Sequence, residues 1–173
     1  YAVAMNDEHG RFIAKRSVDT THTEYWITDG DLFNSASITL VSEDSNASSH
    51  TDQQLIGITA AGAFLVHEQI SSGTVECARR SPAAMSPDVP TEQTTASRIF
   101  WLGSRTDTLA SGVYSSAGCG GSGLAIYAPV LNSAGDVLSQ EGTIAGNSGG
   151  VISVVTKLWL YPGDGSGAEQ VAQ

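Results

Sequence analysis

Short apolar stretches, each only a few residues long, recur along the chain between glycine, proline, serine and acidic residues. Several are rich in β-branched and aromatic residues, which is typical of β-strands. Examples are 24–28 (EYWIT), 37–42 (SITLVS), 63–68 (AFLVHE), 97–102 (SRIFWL) and 124–131 (LAIYAPVL). No stretch repeats its apolar residues at helical spacing, so the pattern predicts an all-β protein.

Strands that follow one another at intervals of about 8–12 residues are typical of β-sandwiches and barrels. We therefore expect an antiparallel β-sandwich with a jelly-roll-like arrangement or, as the alternative, a barrel. The strand signals predict a single β domain over 1–162, and the small polar residues of 163–173 predict a flexible C-terminal tail.

Three segments are predicted to be loops. Residues 44–52 are rich in Ser, Asn and Asp, and 117–123 (AGCGGSG) are dominated by glycine. Residues 81–95 contain Pro82, Pro87 and Pro90, each of which lacks a backbone N–H donor. Because this loop is long for a compact domain, we expect its three prolines to contribute to an interface.

The clearest predicted strand is 151–161 (VISVVTKLWLY), between Gly149-Gly150 and Pro162-Gly163. Apolar residues occupy most of its positions, so we expect both of its faces to be buried, by a second sheet or by a partner. The side chains expected at that interface are Val155, Leu158, Trp159 and Tyr161.

The formal net charge of −10 comes from 18 acidic residues against 8 basic ones. Neutralising nucleic-acid phosphates requires clustered Lys and Arg, so direct nucleic-acid binding is not expected. The apolar runs are also far shorter than the ~20 residues of a membrane-spanning helix, so no membrane span is expected. With neither a phosphate-binding loop nor a dinucleotide fingerprint, no cofactor is expected.

The two cysteines, Cys77 and Cys119, do not have the CxxC spacing of a zinc site. They are candidates for one disulfide or for two buried thiols, and the sequence leaves both open.

Asp29 and Asp31 flank Gly30 directly after a predicted strand, which makes them candidate calcium ligands. This short motif lacks the ligand that closes an EF-hand loop, so a solvated turn is the main expectation and no metal is assigned.

Residues 146–150 read Gly-Asn-Ser-Gly-Gly. This string resembles the nucleophile motif of chymotrypsin-like serine proteases, in which the turn exposes a serine and its N–H groups form the oxyanion hole. The resemblance implies a triad of His50, Asp88 and Ser148, in the chain order of that family. The family usually has proline where this chain has Val151, and a tight turn between strands explains the same string.

The preferred hypothesis is a non-enzymatic structural subunit, such as a virion coat or decoration protein or part of a surface appendage. Its expected partners are other copies of itself and other structural proteins of the same particle, and its expected location is the virion or the cell exterior. The alternatives are a serine protease using Ser148 and a carbohydrate-binding or adhesin module. For that module, Trp26, Trp101 and Trp159 are candidate sugar platforms, although core packing is the default expectation for all three.

Overall fold

A computed structural model describes residues 3–6, 12–28, 36–46, 49–73, 92–117, 120–127, 129–146 and 152–173. These residues form thirteen strands and contain no helix. The strands are β1 Val3–Asn6, β2 Phe12–Ser17, β3 His22–Thr28, β4 Ala36–Asn46, β5 Ser49–Ile58, β6 Ala63–Ser72, β7 Glu92–Gly103, β8 Thr108–Ala117, β9 Gly120–Ile126, β10 Val130–Leu131, β11 Val137–Gly146, β12 Ile152–Tyr161 and β13 Glu169–Ala172.

Every strand pair is antiparallel, which confirms the prediction of an all-β antiparallel protein. From β1 to β9 each strand pairs with the next one in the chain. Strand β9 then pairs with β11, and β11 also pairs with β10 and β12. Pairing in chain order is a meander, whereas a jelly roll joins strands that are distant in sequence. The described strands do not close into a barrel, and the sandwich stays a prediction.

Strand β4 changes partners along its length. Its first part, as far as Val41, pairs with β3, and from Ser42 onwards it pairs with β5. Strands β1, β2, β3 and residues 36–41 therefore form a separate N-terminal layer, which is joined to the rest of the sheet through the second half of β4.

The N-terminal layer packs against one face of the central strands β6 and β7, called here the layer face. Phe64, Val66 and Phe100 are buried on this face. They pack with Leu40 and with partly buried residues of the layer, Tyr25 among them.

The opposite face of β6 and β7, called here the roll face, is covered by β8 to β12. Leu65, Ile99 and Trp101 are buried there with Ile126 and Val137 in a single cluster. Six consecutive residues of β6, 63–68, are consequently buried, which explains why its apolar residues form a continuous run instead of alternating.

Glycines allow the sheet to bend over the roll face between β8 and β9. A Cβ on Gly112 would lie 2.6 Å from the carbonyl oxygen of Leu124, and a Cβ on Gly123 would collide with the backbone of Val113. Gly123 also has a φ of +126°, which residues other than glycine rarely adopt. Beyond this bend, the backbone N–H of Ile126 donates a hydrogen bond to Ser97 Oγ of β7 at 3.2 Å.

Two of the predicted loops are strands over most of their length. In 44–52, β4 runs to Asn46 and β5 begins at Ser49, with Asp44 opposite His50. Polar residues are compatible with this hairpin because its backbone groups pair across the two strands. In 117–123, β8 ends at Ala117 and β9 already begins at Gly120, because glycine permits the close approach of the two strands.

The predicted 81–95 loop is wrong at its C-terminal end, because β7 begins at Glu92. The β-branched residues Thr94 and Thr95 pair there with Ser72 and Ser71 of β6. Residues 81–91 lie outside the described part of the chain. Within 163–173, the predicted tail, residues 169–172 form β13, which pairs with β12.

Candidate functional site

Of the triad implied by the protease-like motif, only His50 lies among the described residues. It is exposed on β5, opposite Asp44 of β4 and Ser71 of β6, so it belongs to a strand and not to a loop. Asp88 and Ser148 lie outside the described residues, and the triad stays a prediction.

The other candidates from the middle and the start of the chain also lie outside the described residues. These are Cys77, Cys119, Asp29, Asp31, Pro82, Pro87 and Pro90. Within the described ranges, no three His, Cys, Asp or Glu side chains are grouped so that they could hold a metal ion. No helix in the same ranges is long and apolar enough to cross a membrane.

The four β12 residues predicted at an interface lie on two different faces. Tyr161 packs into the roll-face cluster opposite Val137, and the unbroken register of β11 and β12 places Trp159 and Val155 on that same side. Leu158 points the other way.

The side of β11 and β12 that faces away from the roll-face cluster is called here the outer face. Its described large apolar side chains come from β12, from β11 and from the residues around β10. They are Tyr127, Val130, Leu138, Val154, Leu158 and Leu160. Val130 is 65% exposed and Val154 48% exposed, so β12 is not buried on both sides within this chain.

An ion pair with a buried carboxylate and a half-exposed cation lies on the layer face. Arg98 Nε of β7 donates to Glu68 Oε1 of β6 at 2.5 Å, and a terminal guanidinium nitrogen donates to Oε2 at 3.2 Å. The carboxylate is almost completely buried, whereas the Arg98 side chain is 47% exposed. The guanidinium also stacks on Phe100, 4.4 Å from its ring centroid.

Gln53 of β5 extends this network to β4. Its Nε2 donates to Glu68 Oε2 at 2.5 Å, and its Oε1 accepts the backbone N–H of Val41 at 3.1 Å. Val41 is the residue at which β4 leaves β3 for β5, so the Gln53 amide bridges the fork between the two pairings.

The network keeps Glu68 ionised. Burial by itself raises the pKa of Glu68, but the hydrogen bonds from Arg98 and Gln53 and the charge of Arg98 outweigh burial and bring the pKa below its usual value. The group is thus a fixed negative charge, compensated by a half-exposed cation.

On one side of this network lies the polar groove, a cavity of about 420 Å³ between the N-terminal layer and β5. Lys15, Thr23 and Tyr25 line it from the layer, and Ser42 of β4 lines it at the fork. Asp52, Gln53 and Gln54 line it from β5.

On the other side lies the open groove, about 640 Å³, where the N-terminal layer no longer covers the layer face. The strand register places Ile70, Ala96 and Val113 in one row across β6, β7 and β8, directly beyond the row of Glu68 and Arg98. The open groove therefore has an apolar floor with an ion pair at one end.

His67 is a buried polar residue on the roll face. Its Nε2 has no hydrogen-bond partner among the described residues. Burial lowers the pKa of His67, and the backbone of Ile126 and the charge of Asp52 act in the opposite direction without outweighing it. The imidazole is therefore neutral at neutral pH.

Sequence reasoning missed the polar groove and the ion pair because their members come from distant strands. Glu68 and Arg98 are thirty positions apart. The only local signal was a charged residue at the end of an apolar run, in AFLVHE and in SRIFWL. Trp26 is 40% exposed, contrary to the default expectation of core packing, whereas Trp101 is buried as expected.

No model of a known protein family matches the chain, and neither the curated proteins nor the solved structures include a match to it.

Proposed function

We propose that the protein is a non-enzymatic structural subunit that assembles with other copies of itself through the outer face of β11 and β12. The observation that supports this proposal is an apolar sheet face on which Tyr127, Val130 and Val154 are exposed. A virion coat or decoration protein, or a subunit of a surface appendage, would use such a face, and other structural proteins of the same particle would meet neighbouring surfaces.

The exposure of the outer face gives association a driving force. Val130 is 65% and Val154 48% exposed, and Tyr127, 42% exposed, packs over Gly142 on the same face. Clustered exposed apolar residues of this kind are characteristic of protein interfaces, and removing them from water contributes about 25 cal/mol per Å² buried.

The charge distribution favours a second copy as the occupant. The chain carries a net charge of −10, so most approaches of two copies are repulsive. The described outward positions of β11 and β12 carry no charge: they are Leu138, Gln140, Gly142, Val154, Thr156, Leu158 and Leu160. Two copies that meet there bring no acidic residue of β11 or β12 into contact, and Glu169 of β13, opposite Leu160, lies at the edge of this face.

Two neighbouring valines of β12 supply a matched test. Val154 and Val155 are 48% and 46% exposed but lie on opposite sides of the strand. Val154→Lys should abolish or strongly weaken self-association because it places a charge in the interface, and Val155→Lys should leave self-association close to that of the unaltered protein. Sedimentation velocity of both variants over a concentration series measures this.

Equal behaviour of the two variants would contradict the use of the outer face. An unaltered protein that stays monomeric at every concentration would contradict the assembly role itself.

A further inference from the structure

Strand β12 has an edge that no described strand pairs with, and we propose that this edge pairs with the same edge of a second copy to form one continuous antiparallel sheet. Among the described strands, β12 pairs with β11 along its whole length, but with β13 only at 158–160. Residues 152–157, called here the free edge, therefore have no described strand beside them on that side. This contact rests on the proposed self-association and adds to the contact through the outer face.

The hydrogen bonds of β11 show which backbone groups of the free edge point outward. The N–H of Tyr127 donates to the carbonyl oxygen of Gln140 at 3.0 Å, so Gln140 directs its backbone groups away from β12. Successive residues of an antiparallel strand direct these groups to opposite sides, so the odd-numbered residues of β11 bond to β12. In the register of the two strands, their partners on β12 are also odd-numbered. The even-numbered residues Ile152, Val154 and Thr156 consequently present their N–H and C=O groups at the free edge.

Two copies related by a twofold axis match these backbone groups to one another. With the axis at Val154, this residue lies opposite Val154 of the second copy, and Ile152 lies opposite Thr156 of the second copy. All of these residues bond outward, so each pair exchanges both of its hydrogen bonds, about six bonds in all. A twofold axis perpendicular to the sheet also keeps the outer faces of both copies on the same side. The joined sheet therefore presents the two outer faces as one larger apolar surface.

The free edge lacks the features that keep most sheet edges from pairing with another chain. Natural edge strands are protected by prolines, bulges or charged residues. Residues 152–156 (ISVVT) include no proline and no charged residue, and their register with β11 is unbroken. All but Ser153 are β-branched, which favours the extended conformation that pairing requires. Val154 and Val155 are 48% and 46% exposed on opposite sides of the strand, so neither side is fully covered there.

The charge of the free edge favours a second copy as its partner. The whole chain has a net charge of −10, but the free edge carries only the positive charge of Lys157. In contrast, β13, which ends the described sheet, begins with Glu169. Two paired free edges thus place no acidic residues side by side, and the twofold axis puts the two lysines at opposite ends of the paired segment. Pairing is therefore possible despite the overall repulsion between two acidic chains.

The test is amide hydrogen exchange of the full chain, quenched and detected by NMR, in concentrated and in dilute samples whose mass is measured by light scattering. When about nine-tenths of the chains are associated, the amides of Ile152, Val154 and Thr156 should exchange about tenfold more slowly than in the dilute protein. The amides of Val155 and Lys157 bond to β11 in both samples, so their exchange should change little. This alternation along one strand distinguishes pairing at the free edge from contact through the outer face alone.

Two variants separate the free edge from the outer face. Thr156→Pro removes an outward N–H but no hydrogen bond to β11, and edge strands accept proline at such positions. It should abolish the concentration-dependent protection of Val154, whereas the matched control Thr156→Val keeps the N–H and should retain that protection. Val130→Lys places a charge on the outer face, away from the free edge, and should leave the protection of Val154 in place.

Fast exchange of Ile152, Val154 and Thr156 in a sample that light scattering shows to be associated would overturn pairing at the free edge and leave the assembly role intact. This result comes from the unaltered protein, so it does not depend on the folding of Thr156→Pro. Protection of Val154 that persists in a folded Thr156→Pro variant would also overturn the pairing. A protein that is monomeric at every concentration would contradict the assembly role and the pairing together.

Discussion

At the scale of single residues, the two partners of the Glu68–Arg98 pair have unequal surroundings. Glu68 is almost completely buried, whereas the Arg98 side chain is about half exposed. Removing the cation leaves a carboxylate that water cannot reach, and removing the carboxylate charge leaves a cation that water can solvate. Loss of Arg98 should therefore cost more than loss of the Glu68 charge.

We expect Arg98→Met to lower the free energy of unfolding by about 2–3 kcal/mol at neutral pH, and Glu68→Gln by about 1 kcal/mol. Urea denaturation of both variants measures the difference. The control is Arg105→Met, which breaks the more exposed pair with Asp107 and should cost less than about 1 kcal/mol. A smaller cost for Arg98→Met than for Glu68→Gln would contradict the burial asymmetry.

We expect the protein to lose stability on mild acidification because His67 is buried in its neutral form. Because burial lowers its pKa in the folded state, the unfolded chain binds a proton more readily than the folded one. The stabilising contribution of neutral His67 is therefore fully present above the unfolded pKa of about 6.5. It falls as the pH drops below that value, by at most about 1.4 kcal/mol per pH unit.

His67→Leu should flatten the dependence of unfolding free energy on pH between about 7 and 5. Denaturation midpoints at several pH values, compared with His50→Leu on the exposed face of β5, provide the measurement. A slope that His67→Leu leaves unchanged would show that another group carries the proton.

At the scale of elements, the bend between β8 and β9 rests on Gly123. Alanine there combines an unfavourable positive φ with a collision against the backbone of Val113. Gly62 also has a positive φ, of +78°, but a Cβ would meet nothing within 4 Å. Gly123→Ala should therefore lower stability by about 2–4 kcal/mol and Gly62→Ala by about 1 kcal/mol. Thermal melting of the two variants checks the order, and equal losses would mean that β9 does not approach β8 so closely.

Strand β12 shows what the sequence could predict. The run 151–161 is apolar, β-branched and bounded by glycine and proline, and the strand found is Ile152–Tyr161. The hairpin of β4 and β5 was missed because Asp, Ser and Asn favour turns locally, while the strand conformation of β5 is supported by its pairing with β6 on the other side. The polar groove could not be predicted either, since it forms only where β4 changes partners.

At the scale of the whole molecule, net charge and the outer face act against each other. The charge of −10 repels a second copy over a Debye length of about 10 Å at 0.1 M salt, while the uncharged outer face gains from burial. Association should therefore strengthen between low and moderate salt, in contrast to association that depends on ion pairs between copies.

The most direct measurement is the mass of the unaltered protein by light scattering over a concentration series, at low and at moderate salt. The assembly role predicts a mass of two or more chains that rises with concentration and is larger at moderate salt. A mass of one chain at every concentration and at both salts would contradict it.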